Sequence, residues 1–267
     1  MDRLQGNFWK KGLLALSTPT MEKDQVSVII PTYHHHDVTI AHVKLSMDVT
    51  HTPKEIIVVN DGGDPSLKEK LRGITKKCPV VYARVDKDIL WNYNGACNLG
   101  WWLSTGEYLA FEDNDNFPSR TFYESAVKMF HDEPSVGRVY ARKRKVITTE
   151  ELFEKKREEW EPFQNMGPNM GTAMIKRSAY ARIKGQDERF VGAYGYMYYD
   201  LKARLMGQAG YEFGSVDEYF YIREGQSDLD RARSGRNLNL YRENAKYNRI
   251  QHPKGIINFT YDYEVLA

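Results

Sequence analysis

Short apolar runs alternate with stretches of helical spacing along the first half of the chain. Most runs are rich in β-branched residues and stop at a polar or turn-forming residue, which is typical of buried strands. They predict strands at 26–30, 55–59, 80–85, 107–111 and 136–141. The intervening stretches predict helices at 37–49, 65–74, 94–104 and 120–131. Such alternation predicts an α/β fold, with a mostly parallel, doubly wound sheet and helices on both faces.

A charge-dense stretch at 142–160 interrupts this alternation, and we expect it to be mostly a solvated helix between two halves. Beyond it, the pattern predicts a strand at 172–175, a helix at 199–208 and a strand at 218–222. The chain then divides into four parts: an N-terminal extension at 1–25, a first half at 26–145, a second half at 146–226, and a basic tail at 227–267.

Charge and cysteine content narrow the class of protein. Lys and Arg total 38 against 36 for Asp and Glu, so the formal charge of +2 does not indicate a dedicated nucleic-acid binder. The two cysteines, Cys78 and Cys97, are too few for a disulfide framework and predict buried thiols in a reducing compartment. No apolar run reaches membrane-spanning length and the start is weakly apolar, so we expect a cytoplasmic protein.

Polar residues follow three of the predicted strands. An open α/β sheet binds its ligand beyond the carboxyl ends of its strands, so these residues are candidates for a ligand site. Pro31, Thr32 and Tyr33 follow the first strand, and Asp61 with two glycines follows the second. A tyrosine can stack on a base, a carboxylate can accept a base N–H, and glycines let the backbone approach closely. These strand ends therefore predict a nucleotide site.

The fourth strand ends in Asp113, Asn114 and Asp115. Two carboxylates at this spacing can hold one divalent ion, whose remaining oxygen ligands would include a diphosphate. The ion would neutralise the charge of a departing nucleoside diphosphate. An Asp-x-Asp in a loop often only caps a helix, but its position directly after a strand favours the metal site.

Five segments occur in an order that matches one enzyme family, over about 26–210. They are VSVIIPTY at 26–33, EIIVVNDGG at 55–63, DILWNYNGACNLG at 88–100, GEYLAFEDND at 106–115 and GQDERFVGAYGYMYYDLKARL at 185–205. The chain resembles glycosyltransferase family 2, whose fold is called GT-A. The resemblance implies that the first half binds a nucleotide-sugar donor and the second half an acceptor.

The resemblance also implies roles for individual residues. Tyr33 would pack on the base, Asp61 would hydrogen-bond it, and Asp113 and Asp115 would hold Mn²⁺ or Mg²⁺ with the diphosphate. Further donor contacts are expected from Pro31, Thr32, Asn114, Trp91, Asn94 and Asn98. Relatives usually carry Arg at the position of Cys97, which puts one donor contact in doubt.

Two departures from the family pattern concern the chemistry. Inverting relatives carry a Glu-Asp pair before the last helix, where this chain has Met197 and Tyr198. Only Asp200 survives from that pattern, so it becomes the candidate general base, with a structural ion pair as the alternative role. Many relatives place a metal-binding histidine after the final strand, whereas this chain offers Arg223, which can clamp a diphosphate.

The resemblance implies transfer of a sugar, most simply from a UDP-sugar, to an acceptor hydroxyl with inversion. Tyr194, Tyr196 and Tyr198 lie where relatives meet the acceptor, which would be a glycan, a lipid-linked sugar or another hydroxyl. Nucleic acid is a further candidate partner, because the tail carries several arginines. The alternative functions are a non-catalytic nucleotide-sugar binder and a transferase acting on modified bases in DNA. A nucleotidyltransferase is disfavoured, since PTYHHHD lacks a Gly-rich basic loop.

Overall fold

The computed structural model describes residues 23–74, 77–224, 235–247 and 261–266. The strands are β1 Val26–Thr32, β2 Glu55–Asp61, β3 Val80–Val85, β4 Tyr108–Phe111, β5 Asn116–Pro118, β6 Val136–Ile147, β7 Gln164–Met166, β8 Ala173–Lys176, β9 Glu212–Arg223 and β10 Tyr261–Leu266. The α-helices are α1 His36–Met47, α2 Leu67–Arg72, α3 Tyr93–Leu103, α4 Phe122–Asp132, α5 Thr149–Glu154, α6 Arg177–Arg182, α7 Met197–Ala203 and α8 Arg236–Tyr247.

The strands form one sheet in the order β10-β3-β2-β1-β4-β8-β6-β9-β5, with β7 paired to β6. Strands β3, β2, β1 and β4 are mutually parallel, and β6 pairs parallel with β9. The other pairs are antiparallel, so the sheet is mixed around a parallel centre. The α/β prediction and the predicted parallel core are confirmed.

Both faces of the sheet are covered by helices. Along β1, Val28 and Ile30 pack into one apolar cluster, whereas Ile29 packs into the other, as the alternation of a strand requires. Side chains of α1, α2 and α4 belong to the first cluster, and those of α3, α6 and α7 to the second. Cys78 and Cys97 are free thiols in these two clusters, as the cysteine content predicts.

The charge-dense stretch at 142–160 is not mostly helical, and this expectation is wrong. Strand β6 continues through it to Ile147, because β9 pairs with β6 along its whole length. Only the short helix α5 follows, and it begins with a capping box in which Thr148 and Glu151 bond each other's backbone N–H. The predicted boundary at 145/146 therefore falls inside one strand, and the two halves share one sheet.

The tail contributes two elements in the part that the structure describes. Helix α8 packs on α7, and β10 extends the sheet by pairing antiparallel with β3. Arg231, Arg233 and Arg249 of the basic tail lie outside the described residues, as does most of the N-terminal extension. None of the described helices combines the length and apolarity needed to cross a bilayer.

Candidate functional site

A cleft opens at the carboxyl ends of the parallel strands β1, β2 and β4. It is lined by residues that follow each of these strands, by the start of α3 and by the last residue of β9. The predicted residues in this lining are Pro31, Thr32, Tyr33, Asp61, Trp91, Asn114, Asp115 and Arg223. The structure therefore brings eight of the predicted site residues to one cavity.

Tyr33 and the turn after β2 form one wall of the cleft. The Tyr33 hydroxyl donates a 2.7 Å hydrogen bond to Asp88, which also lines the cleft. Gly63 lies against the Tyr33 backbone so closely that a Cβ there would be 2.1 Å from the Tyr33 carbonyl oxygen. Gly62 has a φ of 76°, in the region that favours glycine. The two glycines thus allow the β1 and β2 strand ends to meet.

Asp61 is a buried carboxyl at the end of β2, and it is 8% exposed. Its Oδ1 accepts a 2.8 Å hydrogen bond from the side-chain amide of Asn92. Burial raises the pKa of Asp61 to about 7, with the nearby Asp88 carboxylate adding to the rise and the Asn92 bond opposing it. The group is therefore poised to change charge near neutral pH, as residues at functional sites often are.

The two carboxyl groups of the acidic motif after β4 accept hydrogen bonds from different neighbours. Asp115 lines the cleft and accepts a 2.7 Å bond from Asn116 Nδ2. Asp113 accepts bonds from Asn169 Nδ2 at 2.7 Å and from the Tyr198 hydroxyl at 3.2 Å. Burial, together with the Asp113 carboxylate, raises the pKa of Asp115. A cation bound between the two carboxyl groups would favour their ionised forms.

Among the described residues, no group of three or more His, Cys, Asp or Glu side chains is arranged to hold a metal. Two carboxylates still suit Mg²⁺ or Mn²⁺, because such ions keep waters and take phosphate oxygens from the substrate. Arg223 adds a cationic group to the same cleft. Its Nε is buried and has no hydrogen-bond partner among the described residues, so it can still bond an anionic ligand.

A buried polar network packs against the acidic motif and contacts the backbone of Asn114. His42 and Glu112 are 0% and 1% exposed, and His42 Nε2 lies 2.7 Å from Glu112 Oε2. The other imidazole nitrogen lies 3.1 Å from the Asn114 carbonyl oxygen, and the Tyr123 hydroxyl donates to Glu112 Oε1 at 2.7 Å. Sequence reasoning missed this network, although a His inside α1 and a Glu directly before the acidic pair were both visible.

Asn94 and Asn98, predicted donor contacts, do not line the cleft. They lie one helical turn apart on a face of α3 that binds the segment before α7. Asn94 Nδ2 donates to the Asp187 carbonyl at 2.7 Å, and Asn98 Nδ2 donates to the Gln186 carbonyl at 2.9 Å. Their geometry indicates a structural role, and the predicted donor role is not supported by these contacts.

Asp200 has the surroundings of a structural ion pair. It is 2% exposed, and its Oδ2 accepts a 2.8 Å bond from Arg204 Nε. Its Oδ1 accepts a 2.8 Å bond from the Asn244 amide of α8. Because both oxygens are engaged and buried, this geometry does not support Asp200 as the proton acceptor for a bound hydroxyl, and we do not propose that role.

The loop before α7 meets the cleft through aromatic contacts. The Tyr194 ring lies edge-on to Trp91, with centroids 5.1 Å apart, and Trp91 lines the cleft. Tyr198 packs edge-on against Tyr93 at 5.9 Å while bonding Asp113. Tyr196 begins α7 in the left-handed region, with a φ of 63°. The three predicted acceptor residues thus lie just before or within the first turn of α7, and Tyr194 and Tyr198 contact residues of the cleft lining.

The comparisons agree with this geometry. Residues 27–184 match the family described as Glycosyl transferase family 2, which is 158 of the 267 residues. A segment of 92 residues, or 34% of the chain, is 34% identical to an "Uncharacterized glycosyltransferase" of Rickettsia bellii (strain RML369-C). That segment spans 13% of the Rickettsia protein, so this chain is similar to a small part of it.

Proposed function

The chain belongs to glycosyltransferase family 2, and from this premise we propose that it transfers a sugar from a UDP-sugar to an acceptor hydroxyl with inversion. That it is a transferase follows from the family; the donor, the acceptor and the stereochemistry are the proposal. The observation that carries the proposal is the convergence of Tyr33, Asp61, Asp115 and Arg223 on one cleft.

Tyr33 and Asp61 form the base end of the proposed donor site. The Tyr33 phenol is held by Asp88, so its ring is fixed at the wall of the cleft and can stack on a base. The Asp61 carboxylate accepts from Asn92 through one oxygen and can accept a base N–H through the other. A uracil offers such an N–H at its pairing edge, as thymine and guanine also do, so the site is compatible with UDP and the nucleotide panel below tests the choice of base.

The diphosphate would lie between the acidic motif and Arg223. Asp113 and Asp115 would hold the divalent ion, and the ion supplies charge neutralisation for the departing UDP. The Arg223 Nε, which has no partner within the described part of the chain, would bond a phosphate oxygen. Because a guanidinium already supplies positive charge, we expect part of the donor affinity to survive without metal.

A panel of UDP-, GDP- and dTDP-sugars in a thermal-shift assay tests the donor, with Mn²⁺ or with EDTA. A ligand at about 100 times its Kd stabilises by about 2.7 kcal/mol, which is readily measured. We expect selective stabilisation by UDP-sugars, reduced but not abolished by EDTA. Equal stabilisation by all nucleotides would contradict the base assignment, and complete loss in EDTA would contradict the role of Arg223.

Release of UDP from the donor tests catalysis. Asp115→Ala should abolish donor hydrolysis and transfer, because it removes a proposed metal ligand from the cleft. Asp217→Ala is the matched control, since this aspartate is 76% exposed on β9 and lies outside the cleft lining. Activity that survives Asp115→Ala, or falls equally in the control, would contradict the proposal.

A non-catalytic nucleotide-sugar binder is the second candidate. It is favoured by one observation, namely that the carboxylate left from the family's base motif, Asp200, is buried in an ion pair with Arg204. Such a protein would bind UDP-sugars with normal selectivity but release no UDP, with or without an acceptor. The hydrolysis assay therefore separates the two candidates on the same samples.

A further inference from the structure

Helix α1 holds the middle residue of the acidic motif, Asn114, at two points. His42 Nδ1 lies 3.1 Å from the Asn114 carbonyl oxygen, and the Thr39 hydroxyl donates to Asn114 Oδ1 at 3.0 Å. His42 and Thr39 lie three residues apart in α1, so their side chains leave the same face of the helix. Both residues are 0% exposed. We call this pair of contacts the α1 clamp.

The direction of the His42 bonds follows from their partners. A carbonyl oxygen can only accept, so Nδ1 carries a hydrogen and donates it to Asn114. Nε2 lies 2.7 Å from Glu112 Oε2, and the other oxygen of Glu112 accepts a 2.7 Å bond from the Tyr123 hydroxyl. An imidazole held at both nitrogens has one orientation, and it therefore fixes the Asn114 peptide group.

The Asn114 peptide group determines how the two aspartates of the motif are arranged. The Asn116 N–H donates to the Asp113 carbonyl oxygen at 2.9 Å, so residues 113–116 form a tight turn with Asn114 and Asp115 at its centre. A rotation of the backbone at Asn114 would move Asp115 relative to Asp113. The clamp therefore sets the relative position of the two carboxyl groups.

The clamp contacts the motif from outside the cleft. Asn114 and Asp115 line the cleft, whereas Thr39 and His42 do not. A buried histidine often serves only to satisfy a neighbouring carboxyl group, and Glu112 gives His42 that role. The same role does not account for the Thr39 bond, which reaches Asn114 without Glu112. Asn114 is the shared target of the two side chains, and they act on the site through it.

We propose that His42 and Thr39 are positioning residues, which hold Asn114 so that Asp113 and Asp115 take one divalent ion. The inference rests on the proposed function, in which these aspartates hold Mn²⁺ or Mg²⁺. In this assignment neither His42 nor Thr39 touches the ion or the donor. Groups that orient the ligands of a metal are worth about 10- to 100-fold in metal affinity.

Two substitutions of His42 separate positioning from the satisfaction of Glu112. The amide nitrogen of asparagine can take the place of Nδ1, so His42→Asn keeps a donor for the Asn114 carbonyl and loses the Glu112 contact. The amide nitrogen of glutamine can take the place of Nε2, so His42→Gln keeps the Glu112 contact and loses the Asn114 bond. Thr39→Val removes the hydroxyl at nearly equal volume and leaves His42 in place.

The loss of the free-ion EPR signal of Mn²⁺, with and without UDP, measures metal affinity, and urea unfolding of the metal-free protein measures stability. We expect His42→Gln and Thr39→Val to weaken Mn²⁺ binding about 10- to 100-fold, and His42→Asn to bind nearly as tightly as the native protein. His42→Asn should nevertheless be less stable than His42→Gln, because it leaves the buried Glu112 without its imidazole partner.

His131→Gln is the matched control and should leave Mn²⁺ affinity unchanged. This histidine also contacts a carboxylate, that of Asp24, at 2.6 Å, but it is 42% exposed on α4. If either His42 variant fails to fold, Thr39→Val decides the question.

Three results would overturn the inference. These are a native protein that binds no Mn²⁺, unchanged Mn²⁺ affinity in His42→Gln and Thr39→Val, or Mn²⁺ affinities that follow the order of the unfolding free energies. Calorimetry in EDTA measures UDP affinity on the same samples. Clamp-dependent Mn²⁺ binding in a protein that does not bind UDP would support the inference and refute the donor proposal. UDP binding with equal Mn²⁺ affinity in every variant would do the reverse.

Discussion

The ionisation of Asp61 makes the proposed donor affinity depend on pH. Burial beside Asp88 raises its pKa to about 7, and a base N–H is accepted best by the ionised carboxylate. UDP should therefore bind more tightly as the pH rises through 7. The affinity for UDP should therefore follow the ionisation of this single carboxyl group.

The magnitude follows from the pKa. With a pKa of about 7, one carboxyl in about eleven is ionised at pH 6 and about ten in eleven at pH 8. If only the ionised form binds, the Kd for UDP falls about tenfold between these two pH values, or about 1.4 kcal/mol. A pKa near the ordinary value for aspartate would leave the Kd unchanged over this range.

Calorimetric titration of UDP between pH 5.5 and 8.5 measures this dependence, with Asp61→Asn as the comparison. The asparagine variant keeps an acceptor for Asn92 but cannot ionise, so its weaker affinity should change with pH only as far as the UDP phosphate titrates. A native Kd with the same pH dependence as that of Asp61→Asn would refute the reasoning. UDP itself has a phosphate that titrates near pH 6, so the variant corrects for the ligand.

The same substitution should stabilise the free protein at high pH. The folded pKa lies above the ordinary 3.8, so the folded state holds a proton that the unfolded state releases, and stability falls as the pH rises from about 4 to about 7. A difference of about three pKa units corresponds to roughly 4 kcal/mol. Asp61→Asn should therefore melt at a higher temperature than the native protein at pH 8, while binding UDP less tightly.

Two further substitutions test the frame of the cleft. Gly63→Ala should reduce the calorimetric affinity for UDP at least tenfold, because a Cβ at this position would lie 2.1 Å from the Tyr33 carbonyl oxygen. Gly73→Ala is the control and should leave this affinity unchanged, because a Cβ there would have its nearest neighbour at 3.7 Å. His42→Ala should lower the free energy of unfolding in urea by about 3 kcal/mol, because it leaves the buried Glu112 carboxyl without one of its two closest partners. A loss below about 1 kcal/mol would show that the network is not needed for stability.

The central strands could be predicted because their sequences carry a local signal. Strands β1, β2 and β3 are buried on both faces, so each reads as a continuous apolar run. The three-residue strands β5 and β7 carry no such signal, and their pairing depends on distant segments. The continuation of β6 through charged residues was missed for the same reason, since β9 supplies its hydrogen bonds.

The positions of site residues that follow strands could be predicted, whereas the positions of those on helix α3 could not. Tyr33 and Asp61 could be placed because every parallel strand delivers its next residue to the same edge. The side-chain direction on α3 could not be fixed without the helix phase, so Asn94 and Asn98 were expected in the cleft. The structure instead places Asn92 and Tyr93, at the start of the helix, in the lining.

The exchange of the family's Glu-Asp pair for Met197 and Tyr198 changes the charge around the acidic motif. Tyr198 is a hydrogen-bond donor to Asp113, at 3.2 Å, whereas a carboxylate there would repel it. Tyr198 is half-buried, and desolvation raises its phenol pKa well above the ordinary value, so it stays neutral and cannot serve as a base. The exchange thus lowers the local negative charge by two, and Arg223 adds a positive charge to the same cleft. Both changes reduce the charge that a metal must balance, which is the physical reason to expect donor binding that depends less on metal.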